Sequence, residues 1–509
     1  MPMGTEFTRR GLLRAGIGAF AGVAAAGAGP FRLSAAIAAA ARTGGARGPN
    51  IVLILADDLG WCELGSYGQK KIKTPNLDRL ARQGMRLTRH YSGSPVCAPS
   101  RCVLMTGKHP GHAFIRNNKE VKPEGQYPIP DGETTIAELL KRRGYTCGAF
   151  GKWGLGPVGS TGDPLKQGFD RFFGYNCQRH AHSYYPAYLW DNDKRIELDN
   201  KPPAPGHGQL PASADLSDPA AYQKYKGNDY APKRIADEVL AFISENRERP
   251  FFAYYPTIIP HLALHVPDDE LKPYMGQWED KPFDGRGGYT PHATPRAAYA
   301  AMISYLDKQV GRILALLDKL HLADNTIVAF SSDNGATYLR DVDYRFFQSV
   351  GPLRGLKGSI YEGGLRVPAI VRWPGRIKPG SISDRITGFE DWMPTLLDLI
   401  GKSGHVPDCA DGLSFAPTLL GESQKPRPFL YREFSGYGGQ QAVWLGPYKA
   451  VRQKLGKGRI DTELYNLSDD ISESKNVAAD HPEIVKKTER IMAAQHESSK
   501  LFPIKVLDR

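Results

Sequence analysis

The chain has 509 residues, of which 41% are hydrophobic and 24% charged, and its formal net charge is +12. This length and composition are ordinary for a soluble globular protein with a large core and more than one packed unit. The positive charge suits an anionic substrate, and the lack of any Lys/Arg run or nucleic-acid module argues against a nucleic-acid partner.

Residues 1–41 predict an export signal. Arg9 and Arg10 precede a weakly apolar Ala/Gly stretch that runs to about Gly29, a pattern that resembles a twin-arginine signal. Small residues from Ala35 to Ala41 offer cleavage sites. We therefore expect the twin-arginine translocase as a partner, a periplasmic or secreted mature protein, and no stable membrane insertion after cleavage. An uncleaved anchor or an amphipathic tail is the alternative.

Strand and helix patterns alternate through residues 42–404. The first strand candidate, Ile51–Ala56, is a continuous apolar run, which is typical of a strand buried on both faces of a sheet. Further strands are predicted at Thr146–Phe150, Phe251–Tyr255, Thr326–Ser331 and Val367–Arg372. Helices are predicted from Pro75 to Gly84 and at Thr134–Arg143, Ala297–Leu320 and Asp391–Ile400. This alternation predicts an α/β domain with a large, mostly parallel sheet sandwiched by helices.

The pattern changes at about His405. Short strand-like segments at Ala442–Leu445 and Tyr448–Arg452 lie between turns, and a polar helix is predicted from Pro482 to about Ser499. Residues 405–509 therefore predict a smaller C-terminal subdomain, an antiparallel sheet plus one helix. Residues 196–232, rich in Pro, Asp and Tyr, predict a long irregular loop of the kind that often forms a substrate wall.

Residues 97–101 read Cys97-Ala98-Pro99-Ser100-Arg101 and are followed by a segment that reaches Gly107. We expect a helix after Pro99 whose N-terminus faces an anion. The other cysteines form no C-x-x-C pair, so a structural zinc site is not expected. We predict buried free thiols, in preference to disulfides, at Cys62, Cys102, Cys147, Cys177 and Cys409.

Carboxylates follow two of the predicted strands. Asp57 and Asp58 come directly after the first strand, and Asp333-Asn334-Gly335 follows Thr326–Ser331. The carboxyl ends of such strands are where α/β sheets build their sites. Three carboxylates and an amide carbonyl form a hard-oxygen set, which suits Ca²⁺ or Mg²⁺ better than zinc.

Two lysines and a histidine at other positions are suited to binding an anion. Lys152 lies just past a predicted strand, His261 follows Pro260, and Lys357 lies in a glycine-rich segment. Taken alone, each of these residue types is more often solvated or structural than functional.

Together these motifs are similar to those of one family. Residues from about Pro49 to Leu467, including Glu463-Leu-Tyr-Asn-Leu467 near the end, resemble the formylglycine-dependent sulfatases. These are arylsulfatase-like hydrolases of the alkaline phosphatase superfamily, and the resemblance is strongest to the carbohydrate-type sulfatases. The implied fold is the sulfatase α/β fold, with residues 42–404 as its catalytic domain.

The resemblance also implies roles for single residues. Cys97 would be oxidised to formylglycine by a formylglycine-generating enzyme, and Arg101 would hold the resulting diol and the metal ligands in place. The implied metal is Ca²⁺, with Mg²⁺ as second choice, surrounded by Asp57, Asp58, Cys97, Asp333 and Asn334. Lys152, His261 and Lys357 would bind the sulfate, and either His261 or Lys357 would protonate the departing alcohol.

One position departs from the family pattern. Many members read G-K-W-H-L-G, whereas this chain has Gly154 where that histidine would stand. The histidine is credited with the deprotonation that releases sulfate. His180 and His182, in a stretch shared with a subset of carbohydrate-type sulfatases, are the candidates for the missing base or for substrate contacts. They are equally compatible with packing or surface roles.

The expected function is therefore hydrolysis of a small-molecule or oligosaccharide sulfate monoester, with a sulfated carbohydrate favoured over an aryl sulfate. The enzyme alternative is a phosphodiesterase or phosphonate monoester hydrolase of the same superfamily. The non-enzyme alternative is an inactive relative that binds sulfated glycan, which Gly154 invites but an intact Cys97 and Arg101 oppose.

Overall fold

Apolar strands that are buried on both faces build the central sheet. The computed structural model describes residues 48–122 and 124–508, so the predicted export signal lies outside the described residues. In the described part of the chain, eleven strands form one sheet and four form another. The strands are β1 Asn50–Ala56, β2 Met85–Tyr91, β3 Thr146–Lys152, β4 Arg171–Tyr175, β5 Tyr188–Asp191, β6 Lys194–Glu197, β7 Phe251–Pro256, β8 Thr326–Ser332, β9 Arg366–Arg372, β10 Ser381–Ser383, β11 Thr387–Gly388, β12 Leu430–Phe434, β13 Gln440–Leu445, β14 Tyr448–Gln453 and β15 Glu463–Asn466.

The large sheet is mixed and mostly parallel, as predicted. Its order is β10-β2-β9-β8-β1-β7-β3-β4-β5-β6, with β11 paired to β2. The central strands β8, β1, β7, β3 and β4 run parallel. Strand β9 is antiparallel to both β2 and β8, and β5 and β6 close the other edge as an antiparallel hairpin.

Helices cover both faces of this sheet. The helices are α1 Pro75–Gln83, α2 Cys97–Thr106, α3 Ile136–Lys141, α4 Ala231–Glu245, α5 Asp268–Leu271, α6 Pro295–Lys319, α7 Tyr344–Phe347, α8 Glu362–Leu365, α9 Trp392–Leu399, α10 Ala416–Leu419 and α11 Pro482–Gln495. Alternate residues of β1 belong to different cores: Leu53 packs with α2, α3 and α9, whereas Ile54 packs with α1, α4 and α6. This alternation is the reason why the strand is a continuous apolar run.

All five strands predicted for the large sheet form. The sheet also has strands that no continuous apolar run predicts. These are β2, β10 and β11 on one side and β4, β5 and β6 on the other. In β2 the buried Met85 and Leu87 alternate with the half-buried Arg86 and Thr88, a period-2 pattern typical of a strand with one buried face. Residues 196–232 are less irregular than predicted. They contain a 3-10 helix at Pro219–Tyr225, whose tyrosines pack on Leu210.

The C-terminal segment has the predicted antiparallel sheet and helix, although the boundary at residue 405 stays a prediction. Helix α11 ends at Gln495, before the predicted Ser499. The cause is His496, which has extended backbone and bonds through Nδ1 to Glu433 Oε2 at 2.8 Å and through Nε2 to Asp508 Oδ1 at 3.1 Å. These tertiary bonds outweigh a helical continuation that the local sequence would allow.

Cys62, Cys102, Cys147 and Cys177 are free thiols, as predicted. Cys102, Cys147 and Cys177 are also buried as predicted, but Cys62 is half-buried and Cys409 is exposed. The prediction of a buried thiol is therefore wrong for Cys409, which lies in an irregular turn after α9. Each helix in the described part of the chain is too short or too polar for a membrane span.

A buried ionic cluster joins the two sheets. Glu362 in α8 accepts hydrogen bonds from Lys449 Nζ of β14 at 3.1 Å, from Trp444 Nε1 at 2.8 Å and from Tyr91 of β2 at 2.8 Å. Lys449 also lies 2.8 Å from Glu473 Oε1. Burial alone would raise the pKa of Glu362, but the charges of Lys449 and Arg366 outweigh it and hold the pKa below its ordinary value.

We expect Lys449→Met to lower the free energy of unfolding by about 3–5 kcal/mol, because it leaves the Glu362 charge buried without its main partner. Urea denaturation followed by tryptophan fluorescence measures the change. The control is Lys475→Met at an exposed lysine of the same region, which should unfold like the wild type. Equal stability of the two variants would show that the pair does not hold the sheets together.

Candidate active site and metal centre

The ends of three strands meet at one edge of the large sheet. Asp57 and Asp58 follow β1, Lys152 is the last residue of β3, and Asp333 follows β8. Strands β1 and β8 are parallel neighbours with Ala56 opposite Ser332, so both carboxylate groups arrive at the same level. The backbone N–H of Asp58 donates to Asp333 Oδ1 at 3.1 Å, and Asp58 adopts a left-handed φ of 65° that turns the chain there.

Two buried cations hold these carboxylates. Arg101 donates from Nη2 and Nε to Asp333 Oδ2 at 2.8 and 3.0 Å, and its Nη2 lies 3.4 Å from Asp57 Oδ2. Lys152 Nζ donates to Asp57 Oδ2 at 2.6 Å. Burial alone would raise the pKa of Asp57, but the charges of Lys152 and Arg101 hold it well below its ordinary value. Asp57 is therefore an ionised group inside the protein.

The remaining oxygens fit a hard divalent cation. Asp57 Oδ1 and Asn334 Oδ1 are buried with no hydrogen-bond partner among the described residues, whereas Asn334 Nδ2 donates to Asp58 Oδ1 at 2.7 Å. Burial, and then the charge of Asp57, raise the pKa of Asp333 to about 7. Unpartnered oxygens and mutually repelling carboxylates are what a Ca²⁺ or Mg²⁺ ion would satisfy.

Cys97 lies beside this carboxylate group. It is the first residue of α2, so the helix begins two residues before Pro99 and not after it as predicted. Proline is tolerated in the first turn, where a backbone N–H has no helical acceptor. Asp57, Asp58, Cys97 and His261 each offer one ligand atom, and these four atoms lie within 4.8 Å of one another. Burial raises the pKa of the Cys97 thiol.

A cavity of about 170 Å³ opens over Cys97. Lys357 and His261 line it, with Lys357 Nζ 2.7 Å and His261 Nε2 3.6 Å from Asp58 Oδ2. His261 Nδ1 donates to the carbonyl of Leu262 at 2.5 Å, so Nε2 is the nitrogen turned to the site. Burial, and then the charge of Lys357, hold the pKa of His261 well below its ordinary value, which makes the imidazole neutral.

The structure places His180 and His182 in different surroundings. His182 lines the cavity and stacks on His261, with 5.0 Å between ring centroids and 12° between planes. Burial holds the pKa of His182 well below its ordinary value. His180 points elsewhere: its Nδ1 lies 3.6 Å from Glu124 Oε1, and it lines a different cavity. The geometry therefore brings only His182 to Cys97.

Several residues of the site carry no signal in the sequence. His207 shares a hydrogen bond of 2.8 Å with His182 Nδ1, and Tyr289 stacks on His207 with 4.2 Å between ring centroids. Tyr338 and Tyr437 line the mouth of the cavity with 46% and 62% of their surface exposed, and their hydroxyls lie 3.1 Å apart. No motif marks these positions, because loops far apart in sequence bring them together.

Comparison with known proteins identifies the family of this chain. The sulfatase family profile matches residues 49–402, and the profile named N-sulphoglucosamine sulphohydrolase, C-terminal, matches residues 356–498. Human N-acetylgalactosamine-6-sulfatase is 34% identical over 424 residues, covering 80% of this chain and 72% of that protein. Human arylsulfatase A is 33% identical over 508 residues, covering 92% of each chain.

Among solved structures, Ps i-CgsB in complex with k-i-k-neocarrahexaose superposes with a TM-score of 0.71 at 25% sequence identity. The superposition covers 88% of this chain and 92% of that one. The relatives thus indicate the same family as the fold, the strand-end carboxylates and the Cys97 motif. The chain belongs to the sulfatase family of the alkaline phosphatase superfamily and is a sulfuric ester hydrolase.

Proposed function

We propose that this enzyme is exported and removes sulfate from sulfated carbohydrates, using a formylglycine made from Cys97. The observation that carries the choice of substrate is the cavity over Cys97. Apart from Asp58, Glu120 and Lys357, uncharged polar side chains line much of it, and two exposed tyrosines border its mouth. Polar groups suit sugar hydroxyls, and aromatic rings suit the apolar face of a sugar ring. A relative named N-acetylgalactosamine-6-sulfatase and a solved complex with k-i-k-neocarrahexaose support the same choice.

Cys97 requires chemical maturation because a buried thiol is a poor nucleophile for sulfur. Burial raises its pKa, so little thiolate exists at neutral pH. A formylglycine-generating enzyme would oxidise the side chain to an aldehyde. The hydrate of that aldehyde supplies one hydroxyl for attack on sulfur and a second whose deprotonation later expels sulfate. Arg101, which contacts Asp333, Asp57 and the carbonyl of Lys152, fixes the surroundings of this position.

The sulfate group is bound by the side chains around Cys97. Lys152, Lys357 and His261 surround the site, and the two lysines bring positive charge to an anion. Of the two candidates for protonating the leaving alcohol, Lys357 is favoured. His261 places its ring proton on Nδ1, bonded to Leu262, whereas the Lys357 ammonium has protons to donate into the cavity.

His182 takes the role of the histidine that many family members have at the position of Gly154. It is a neutral imidazole in the cavity, so one of its ring nitrogens has a lone pair that can take the proton during the reaction. The contact of Nδ1 with His207 orients the ring and leaves Nε2 for the reacting group.

Ca²⁺ is the proposed metal, held by Asp57, Asp58, Asp333 and Asn334 with Cys97 beside them, and Mg²⁺ is the second choice. When bound, the ion supplies positive charge that orients the sulfate oxygens and offsets the three carboxylates. The export proposal rests on Arg9, Arg10 and the apolar stretch after them, and it gives a periplasmic or secreted enzyme delivered by the twin-arginine translocase.

Active enzyme should contain formylglycine at position 97, which peptide mass spectrometry detects as the exchange of a thiol for an aldehyde. Cys97→Ala should lose at least about a thousandfold in kcat/KM, because it removes the nucleophile, and should keep the fold. The substrates are sulfated mono- and disaccharides that differ in sulfate position, with an aryl sulfate and a matched phosphate ester for comparison. Full activity with unmodified Cys97, or a preference for the phosphate ester, would refute the proposal.

Asp333→Ala should lose bound metal as well as turnover, because it removes a charged ligand and the main partner of Arg101. Elemental analysis of the purified protein should find calcium in the wild type and much less in the variant. Asp324→Ala, at an exposed aspartate just before β8, is the control and should keep its metal. Stoichiometric zinc, or wild-type rates in metal-free protein, would contradict the assignment.

His182→Ala should release one equivalent of alcohol per active site in a burst and then turn over about 10²–10⁴ times more slowly, because the second half of the reaction lacks its base. Stopped-flow measurement with a chromogenic aryl sulfate records the burst. His180→Ala is the matched control and should behave like the wild type, since that ring faces Glu124. A rise in KM for glycans alone, with normal aryl sulfate kinetics, would make His182 a sugar contact and not the base.

A further inference from the structure

Gln178 occupies the space beside Gly154. It lies in the segment after β4 and is buried, with 5% of its surface exposed. A Cβ atom built on Gly154 would lie 2.3 Å from Gln178 Nε2, closer than real side chains approach. The two positions therefore exclude each other: a side chain at 154 would displace this amide.

The amide of Gln178 has no partner among the described residues. Its Nε2 and Oε1 are both buried and make no hydrogen bond to any of them. Gln178 lines the same cavity as Cys97, His182 and His261. Because a buried amide without partners is unfavourable, a donor and an acceptor left free at the wall of an active site indicate a ligand that supplies the complement.

Two further amides share this cavity. Asn118 Oδ1 accepts from the N–H of Ala98 at 3.1 Å, and Gln126 Nε2 donates to the carbonyl of Lys119 at 2.9 Å. Gln126 Oε1 is likewise buried without a hydrogen-bond partner in the described part of the chain. We call Asn118, Gln126 and Gln178 the amide wall. These three side chains are uncharged, in contrast to Asp58, Glu120 and Lys357 of the same lining.

The chemistry of an amide limits its role. A glutamine side chain neither gives up nor takes a proton near neutral pH, so Gln178 cannot replace the missing base. Its adjacent N–H donor and carbonyl acceptor match a hydroxyl group, which both accepts and donates. The alcohol part of a sulfated sugar carries such hydroxyls beside the ester, whereas a simple aryl sulfate carries none.

We propose that Gln178 is a specificity-determining residue, whose amide hydrogen-bonds a hydroxyl of the substrate next to the sulfate ester. Gly154 provides the space that this amide needs. The inference rests on the proposed carbohydrate sulfatase function and adds the residue that recognises the sugar. It also gives Gly154 a function. Where many family members have a histidine, the glycine leaves room for a side chain that contacts the substrate.

The test compares a sulfated monosaccharide with a small aryl sulfate in steady-state kinetics. Gln178→Ala should lower kcat/KM for the sugar about tenfold to a hundredfold, and this loss should exceed the loss for the aryl sulfate at least about tenfold. Equal losses on both substrates would place Gln178 at the sulfate group and overturn the proposal. Unchanged kinetics on the sugar would overturn it as well.

Gly154→Ala tests the same idea with Gln178 intact, and so stays informative if the glutamine variant folds poorly. Its Cβ should push the amide aside and give the same loss on the sugar relative to the aryl sulfate. Because Gly154 has a left-handed φ of 81°, backbone strain needs its own control. Gly159→Ala supplies it, since Gly159 has a φ of 79° but a Cβ there would meet nothing within 4 Å.

Gly159→Ala should keep the wild-type ratio of sugar to aryl sulfate activity, and a matching change in both glycine variants would overturn the role of crowding.

The wild type separates the inference from the function on which it rests. An enzyme that hydrolyses the aryl sulfate and no sulfated sugar refutes the carbohydrate function itself. An enzyme that hydrolyses both, with no sugar-selective loss in Gln178→Ala, refutes only the role of Gln178.

Discussion

Three carboxylates are buried side by side at the ends of two parallel strands, and the rest of the site depends on how their charge is balanced. Asp57, Asp58 and Asp333 would repel one another strongly in a dry interior. Arg101 and Lys152 offset part of this charge through contacts of 2.6 to 3.0 Å, and Lys357 contacts Asp58 from the cavity side. The oxygens left without partners fit a divalent ion. A site with this many cations is also prepared to bind an anionic ester.

Part of the same charged group lines the cavity over Cys97. Lys357 and His261 lie there beside Asp58. Along the amide wall, Gln178 and Gln126 keep polar atoms without a partner among the described residues. Charge is suited to the anionic part of a sulfate ester, whereas directional hydrogen bonds are suited to the group that bears it.

The second sheet contributes to the site from a distance. The buried Glu362 cluster joins β14 to the segment between Lys357 and β9, so the position of Lys357 depends on that attachment. Tyr437, in the loop between β12 and β13, reaches back to Tyr338 at the mouth of the cavity. The smaller sheet thus supports the segment that carries Lys357 and provides part of the entrance to the cavity.

The sequence by itself determined the central strands, their flanking helices and the chemistry at the strand ends. Continuous apolar runs such as Ile51–Ala56 are long enough to specify buried strands, and parallel strands deliver the residues that follow them to one edge of the sheet. For this reason the strand pattern alone places Asp57, Asp333 and Lys152 together. The Cys97 motif added the candidate nucleophile, because its residues are contiguous.

Only the tertiary structure decided which of the remaining side chains face Cys97. His180 and His182 are two residues apart, and a 3-10 turn directs one toward Glu124 and the other onto His261. The partnership of Gln178 with Gly154, and that of His207 with His182, join loops whose mutual positions no local pattern encodes. Local sequence specifies where strands and helices form, whereas the packing between distant loops fixes where each polar side chain finds, or lacks, a partner.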